Sequence, residues 1–145
     1  MNNKPDPASL PCSPLDEIDG LMYFPRMTAK IRLQAAGLLW QELQENLGKG
    51  SDSRCCGFLH IVYDDLKARV LAGGTDPEIL SWCQEQGRPL NETDLLVWNA
   101  YYTKLGWNDQ TSPMLVRRKA ESGLTEREDI RTMGHYINVD EGRSP

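Results

Sequence analysis

Apolar residues return along this chain every three or four positions, and the breaks between them carry Gly, Pro, Asn, Ser or Thr. That period belongs to helices with one buried face. From Pro25, which suits a first helical turn, Met27, Ile31, Ala35 and Leu38 fall on one side. The pattern predicts a helix over about 26–45 that breaks at Gly48-Lys49-Gly50, with Arg26, Lys30 and Arg32 off the apolar stripe. A second helix is predicted to start near Phe58 or Tyr63, to carry Leu59, Val62, Leu66 and Val70 on one face, and to end at Gly73-Gly74.

Four further starts are punctuated. "TDPE" offers Thr75 as a cap with Glu78 answering it and Pro77 early in the helix; "NETD" does the same with Asn91. The second of these helices carries Leu95, Trp98, Tyr102 and Leu105 and stops at Gly106. "TSP" places Ser112 before Pro113 in a helix that stops at Gly123, and "TERE" proposes Thr125 with Glu128, followed by Ile130 and Met133. Six helices with short loops make a single compact all-α domain over 15–143. Residues 1–14, with Pro at 5, 7, 11 and 14, are expected to form a flexible arm.

Composition narrows the setting. The chain has 145 residues, long enough for a core without disulfide or metal staples, and a net charge of −5. An acidic surface disfavours nonspecific nucleic-acid binding and anionic membranes, and no apolar run approaches the roughly 20 residues of a membrane span. The opening "MNNKPDPASLPCSP" lacks the apolar stretch of a secretory signal, so a cytoplasmic location is expected, with Cys12, Cys55, Cys56 and Cys83 as free thiols.

Candidate chemistry is sparse. Adjacent Cys55 and Cys56 lie close to His60, but zinc sites space their thiolates by two to four residues, so packing in the core is the expectation, with no metal and no cofactor. "NLGKGSD" superficially resembles a phosphate loop. The phosphate-loop pattern requires Gly where Leu43 stands and a hydroxyl residue where Gly50 follows Lys49, so a nucleoside-triphosphatase reading fails. What remains is a glycine-flanked Lys49 with Asp52 and Arg54 nearby, able to present amides and charge to a small anion. "LGWNDQTSP" places Trp107, Asn108 and Asp109 after a helix stop, where they would either edge a ligand site or plug and cap a corner.

Longer motifs carry a resemblance. "DEIDGLMYFPRMTAKIRL", "LGKGSDSRCCGFL", "AGGTDPEILSWC", "VWNAYYTKLGWND", "RRKAESGL" and "DIRTM" with "VDEGR", spanning about 12–143, resemble the bacterial proteins called domain of unknown function 5069. The resemblance implies a basic set of Arg26, Lys30 and Arg32 together with Asp52, Phe58-Leu59 and Trp82, and implies no activity. The chain departs from that pattern at Ala29, where an acid is usual, at Gly134-His135, and at Asn138.

The expectation drawn from these residues is a binding module for a small anionic metabolite or an acidic protein segment. Arg26, Lys30, Lys49 and Arg54 would form a basic hollow, joined by Asp52, with Trp107, Asn108 and Asp109 at its rim. Arg26 and Lys30 lie one helical turn apart, a repulsion that a partner would relieve. Asp16, Glu17, Asp19 or the final Asp140-Glu141 could supply that partner from within. The alternatives are an enzyme using Asp52 or Asp109 as a general base beside Lys49 or Arg54, and an adaptor acting through helix faces at Trp40 or Tyr101.

Overall fold

A computed structural model describes residues 5–143. After a short 3-10 helix at Pro7–Ser9 comes a hairpin, β1 (Glu17–Ile18) and β2 (Leu21–Met22), pairing Glu17 with Met22 and Ile18 with Leu21. Asp19 and Gly20 form its turn at φ 48° and 84°, the mirror-image turn that Asp-Gly favours. The apolar period of the chain gave no hint of it, although the dipeptide did.

Among the described residues eight α-helices follow where six were expected: α1 (Phe24–Ala35), α2 (Gln41–Gln44), α3 (Ser51–Leu59), α4 (Tyr63–Leu71), α5 (Asp76–Gln86), α6 (Glu92–Lys104), α7 (Ser112–Glu121) and α8 (Met133–Asp140). The architecture is thus a mostly helical domain. The first predicted helix divides because Gly37 takes φ 72°, and the amides of Gly37 and Leu38 turn back onto Gln34 and Leu33. Leu38, assigned to the buried stripe, is exposed. The second divides at His60, which closes α3 in the left-handed conformation at φ 59°. Val62 thereby leaves the apolar face for solvent, 64% exposed.

Local signals at helix starts are realised where the cap is reciprocal. Thr75 with Glu78, and Asn91 with Asp94, both form capping boxes. The start proposed at Thr125 does not form. Residues 125–130 are turns, held by Lys119 Nζ on the carbonyls of Arg127 and Ile130 and by the Arg127–Asp129 pair, and Thr132 caps α8 instead.

The core gathers around α1, which packs on α4, and joins Phe24, Met27 and Ile31 to Cys55, Cys56, Leu59, Leu66, Ile79, Trp98 and Tyr102. The cysteine pair is therefore core, as expected. Burial pushes the Cys56 and Cys83 thiols up to about 12 and raises the Cys55 thiol well above its ordinary value. A smaller cluster of Leu115, Ile130 and Tyr136 lies beneath α7 and α8. From α6, Asn99 takes the Met22 amide at 3.0 Å and donates to the Gly20 carbonyl at 2.7 Å, while Trp98 Nε1 reaches the Met22 carbonyl at 2.8 Å, so the hairpin is sewn to that helix.

The proline-rich stretch is tied down, whereas a flexible arm was expected. Pro11 and Pro14 are buried, the Ser9 carbonyl accepts the Trp40 amide, and Ser13 Oγ donates to Asn138 Oδ1 at 2.8 Å. Residues 1–4 of the predicted arm lie outside the described residues.

Candidate functional site

Tyr23 opens α1 at φ 79° and ψ −30°, a conformation costly for a bulky side chain. The arrangement around it shows what holds it there. Its hydroxyl donates to Asp52 Oδ1 at 2.5 Å, Lys30 Nζ donates to the Tyr23 oxygen at 3.0 Å, and Lys30 Nζ lies 2.8 Å from Asp52 Oδ1. Asp52 Oδ2 takes the Gly48 amide at 3.0 Å. Burial lowers the Lys30 pKa and the Asp52 charge opposes that; burial raises the Tyr23 phenol well above 10, with Asp52 adding to the rise. The phenol is therefore a fixed neutral donor.

Arg26, one turn before Lys30, points into a second network. Its guanidinium meets Glu141 with both nitrogens, at 2.9 and 2.6 Å, and also reaches the Cys12 carbonyl at 3.0 Å. Arg143 grips Glu141 and the Pro11 carbonyl from the other side. Burial acts against the Arg26 charge, and the hydrogen bonds and charge of Glu141 outweigh it.

Above Asp52 the loop is open to solvent. A cleft of about 390 Å³ is lined by Ile31 and Gln34 of α1, Leu47, Gly48 and Lys49 of the loop, and Val62, Tyr63, Asp64 and Lys67 at the start of α4. Gly48, at φ 75°, is required here, because a Cβ would lie 3.0 Å from the Tyr63 ring. Asp52 fixes the glycine amide from below, and the glycine lets the ring close over it from the side. Lys49 and Lys67 set two positive charges against the one of Asp64.

The basic set expected in one hollow is thus divided. Arg26 and Lys30 are buried, 3% and 4% exposed, and each is already paired; Arg32 pairs with Asp76 at 2.8 Å. Asp52 lies beneath the cleft floor, and Lys49 lines the cleft itself. Arg54 is exposed on α3 and lines no wall of that cleft. Trp107 stands 53% exposed instead of plugging the corner. Asn108 turns at φ 50°, and Asp109 accepts the Gly106 and Thr111 amides at 2.9 and 2.8 Å, so this segment is a turn and sits apart from the cleft.

A family model described as "Domain of unknown function (DUF5069)" matches residues 8–143, nearly the whole chain. The chain belongs to this family. No curated protein matches it. Within this DUF5069 chain, sequence reasoning missed Tyr63 and Lys67, although they lie four positions apart on α4, away from the buried Leu66 and Val70. It also missed Tyr23, whose strained backbone leaves no mark in an apolar pattern. Among the described residues no helix is long and apolar enough to cross a membrane.

Proposed function

We propose that this chain binds a small anionic ligand in the cleft over Gly48-Lys49. The observation that carries the reading is the convergence of Lys49, Lys67, Gln34 and the Gly48 backbone on a hollow of about 390 Å³, within the size range of small-molecule sites. The loop beneath is held by a buried carboxylate with three internal donors, so the site is organised before anything enters it. Such a hollow suits a metabolite better than an extended acidic segment. Asp52 and Asp109, the acids considered as general bases, are both engaged internally, which favours binding over catalysis. A bacterial cytoplasmic setting is part of the same proposal, supported by four free thiols.

A thermal-shift series with inorganic phosphate, pyrophosphate and citrate tests it, because a ligand that binds only the folded state raises Tm by mass action. At least one of these anions raises Tm, and Lys49→Ala with Lys67→Ala removes the rise while leaving the unliganded Tm nearly unchanged, both side chains being exposed. No shift with any of the three, or a shift that survives the double substitution, defeats the proposal.

A further inference from the structure

A second cleft, of about 560 Å³, lies on the opposite flank of α4, lined by His60, Ile61, Val62, Asp65, Ala68, Arg69, Trp82 and Gln86. Val62 walls both hollows. The spacing along α4 explains the division: Tyr63, Asp64 and Lys67 turn to one side, and Asp65, Ala68 and Arg69 to the other. From α5, Trp82 and Gln86, four positions apart, supply the far wall.

The two hollows differ in chemistry. The first pairs lysines with a glycine loop. The second has a half-buried indole, an apolar floor of Ile61 and Ala68, and a mixed set of His60, Asp65, Arg69 and Gln86 that can both donate and accept. Asp65 opposes a bare anion there, while an indole face and paired donors and acceptors suit a flat ring with polar edges. We infer that the clefts are two halves of one site, bridged over Val62, for a ligand with a planar heteroaromatic ring at Trp82 and an anionic tail at Lys49 and Lys67. This rests on the anion-binding reading above and adds the ring.

Calorimetric titration of the full chain with tripolyphosphate, adenosine and ATP, without magnesium, separates the two claims. ATP is expected to bind about tenfold or more tightly than either fragment, one base stacked on an aromatic side chain being worth about that factor. Trp82→Ala should bring ATP down to the level of tripolyphosphate and leave tripolyphosphate itself unchanged. Because Trp82 also packs on the core, Ala68→Phe serves as the second variant: it fills the hollow from an exposed position and should cause the same loss. ATP binding no tighter than tripolyphosphate, or keeping its advantage in both variants, overturns the bridged site and leaves the anion reading intact. Failure of both tripolyphosphate and ATP to bind overturns the bridged site, and overturns the anion reading with it when phosphate, pyrophosphate and citrate also leave Tm unchanged.

Discussion

Lys30 and Asp52 meet at 2.8 Å with almost no solvent around either side chain. A buried pair gains little over a well-packed apolar pair, but removing one partner strands the other charge in the interior. Asp52→Asn is therefore expected to cost about 3–5 kcal/mol in urea unfolding. Adding Lys30→Met to that variant should recover part of the loss, since no charge is then left without a partner. A double variant as unstable as the single one would show that Asp52 acts mainly through Gly48 and Tyr23.

Glu141 does the same work one turn earlier on α1, at Arg26. Its carboxylate neutralises Arg26, and through Arg26 and Arg143 it fixes the carbonyls of Cys12 and Pro11. Glu141→Ala should cost about 3–5 kcal/mol and release the strap before Leu15. Limited proteolysis checks it: cleavage between Pro5 and Leu15 is expected to rise in the variant. Unchanged cleavage would mean that Trp40 and Asn138 hold the strap alone.

These two networks mark the limit of what the linear sequence discloses. The caps at Thr75 and Asn91 were legible because their partners stand three residues away. Lys49 was legible because flanking glycines keep a lysine on the surface. The fate of Arg26 was not, since its partner lies 115 positions along the chain and an off-stripe cation ordinarily faces water. On the first two turns of α1 even the off-stripe cations Arg26 and Lys30 are interior, whereas Arg32 near its far end stays partly exposed. The helix breaks at Gly37 and His60 were hidden for a related reason: apolar periodicity runs through both, and only the left-handed backbone stops it.

Gly87 shows a steric constraint independent of charge. It follows α5 where the chain turns against the end of α3, and Arg88 donates its amide to the Leu59 carbonyl at 3.0 Å. A Cβ at Gly87 would fall 2.0 Å from that same carbonyl oxygen, and backbone cannot step aside as a flexible side chain can. Gly87→Ala is expected to destabilise by about 3 kcal/mol, the upper end of ordinary overpacking, seen as a lower urea midpoint at unchanged slope. A loss below about 1 kcal/mol would indicate that α5 shifts freely on α3.

Alkaline pH should unfold this protein progressively, and the sign follows from burial. Cys56 and Cys83 are pushed up to about 12 and Cys55 is raised well above its ordinary value, chiefly by loss of water, whereas an unfolded thiol titrates at about 8.5. A group whose folded pKa exceeds its unfolded one contributes fully below the unfolded value and loses that contribution as pH rises through the folded value. Tyr23, Tyr63 and Tyr102, raised by burial, join them from about pH 10. Lys30 runs the other way: burial lowers its pKa, so its contribution grows with pH up to its unfolded value near 10.4. This one base opposes those six acids, with Cys12, Tyr101 and Tyr136 raised by burial in the same direction, and the acids prevail. Stability measured in urea at fixed ionic strength should hold from pH 6.5 to about 8.5 and then fall, with each buried thiol adding about 1.4 kcal/mol per pH unit at most. Cys83→Ala removes one such thiol and should make the fall shallower. A stability curve that stays level to pH 10.5 would mean that the three thiols meet water in the folded protein, and the packing of α3 against α5 would have to be redrawn.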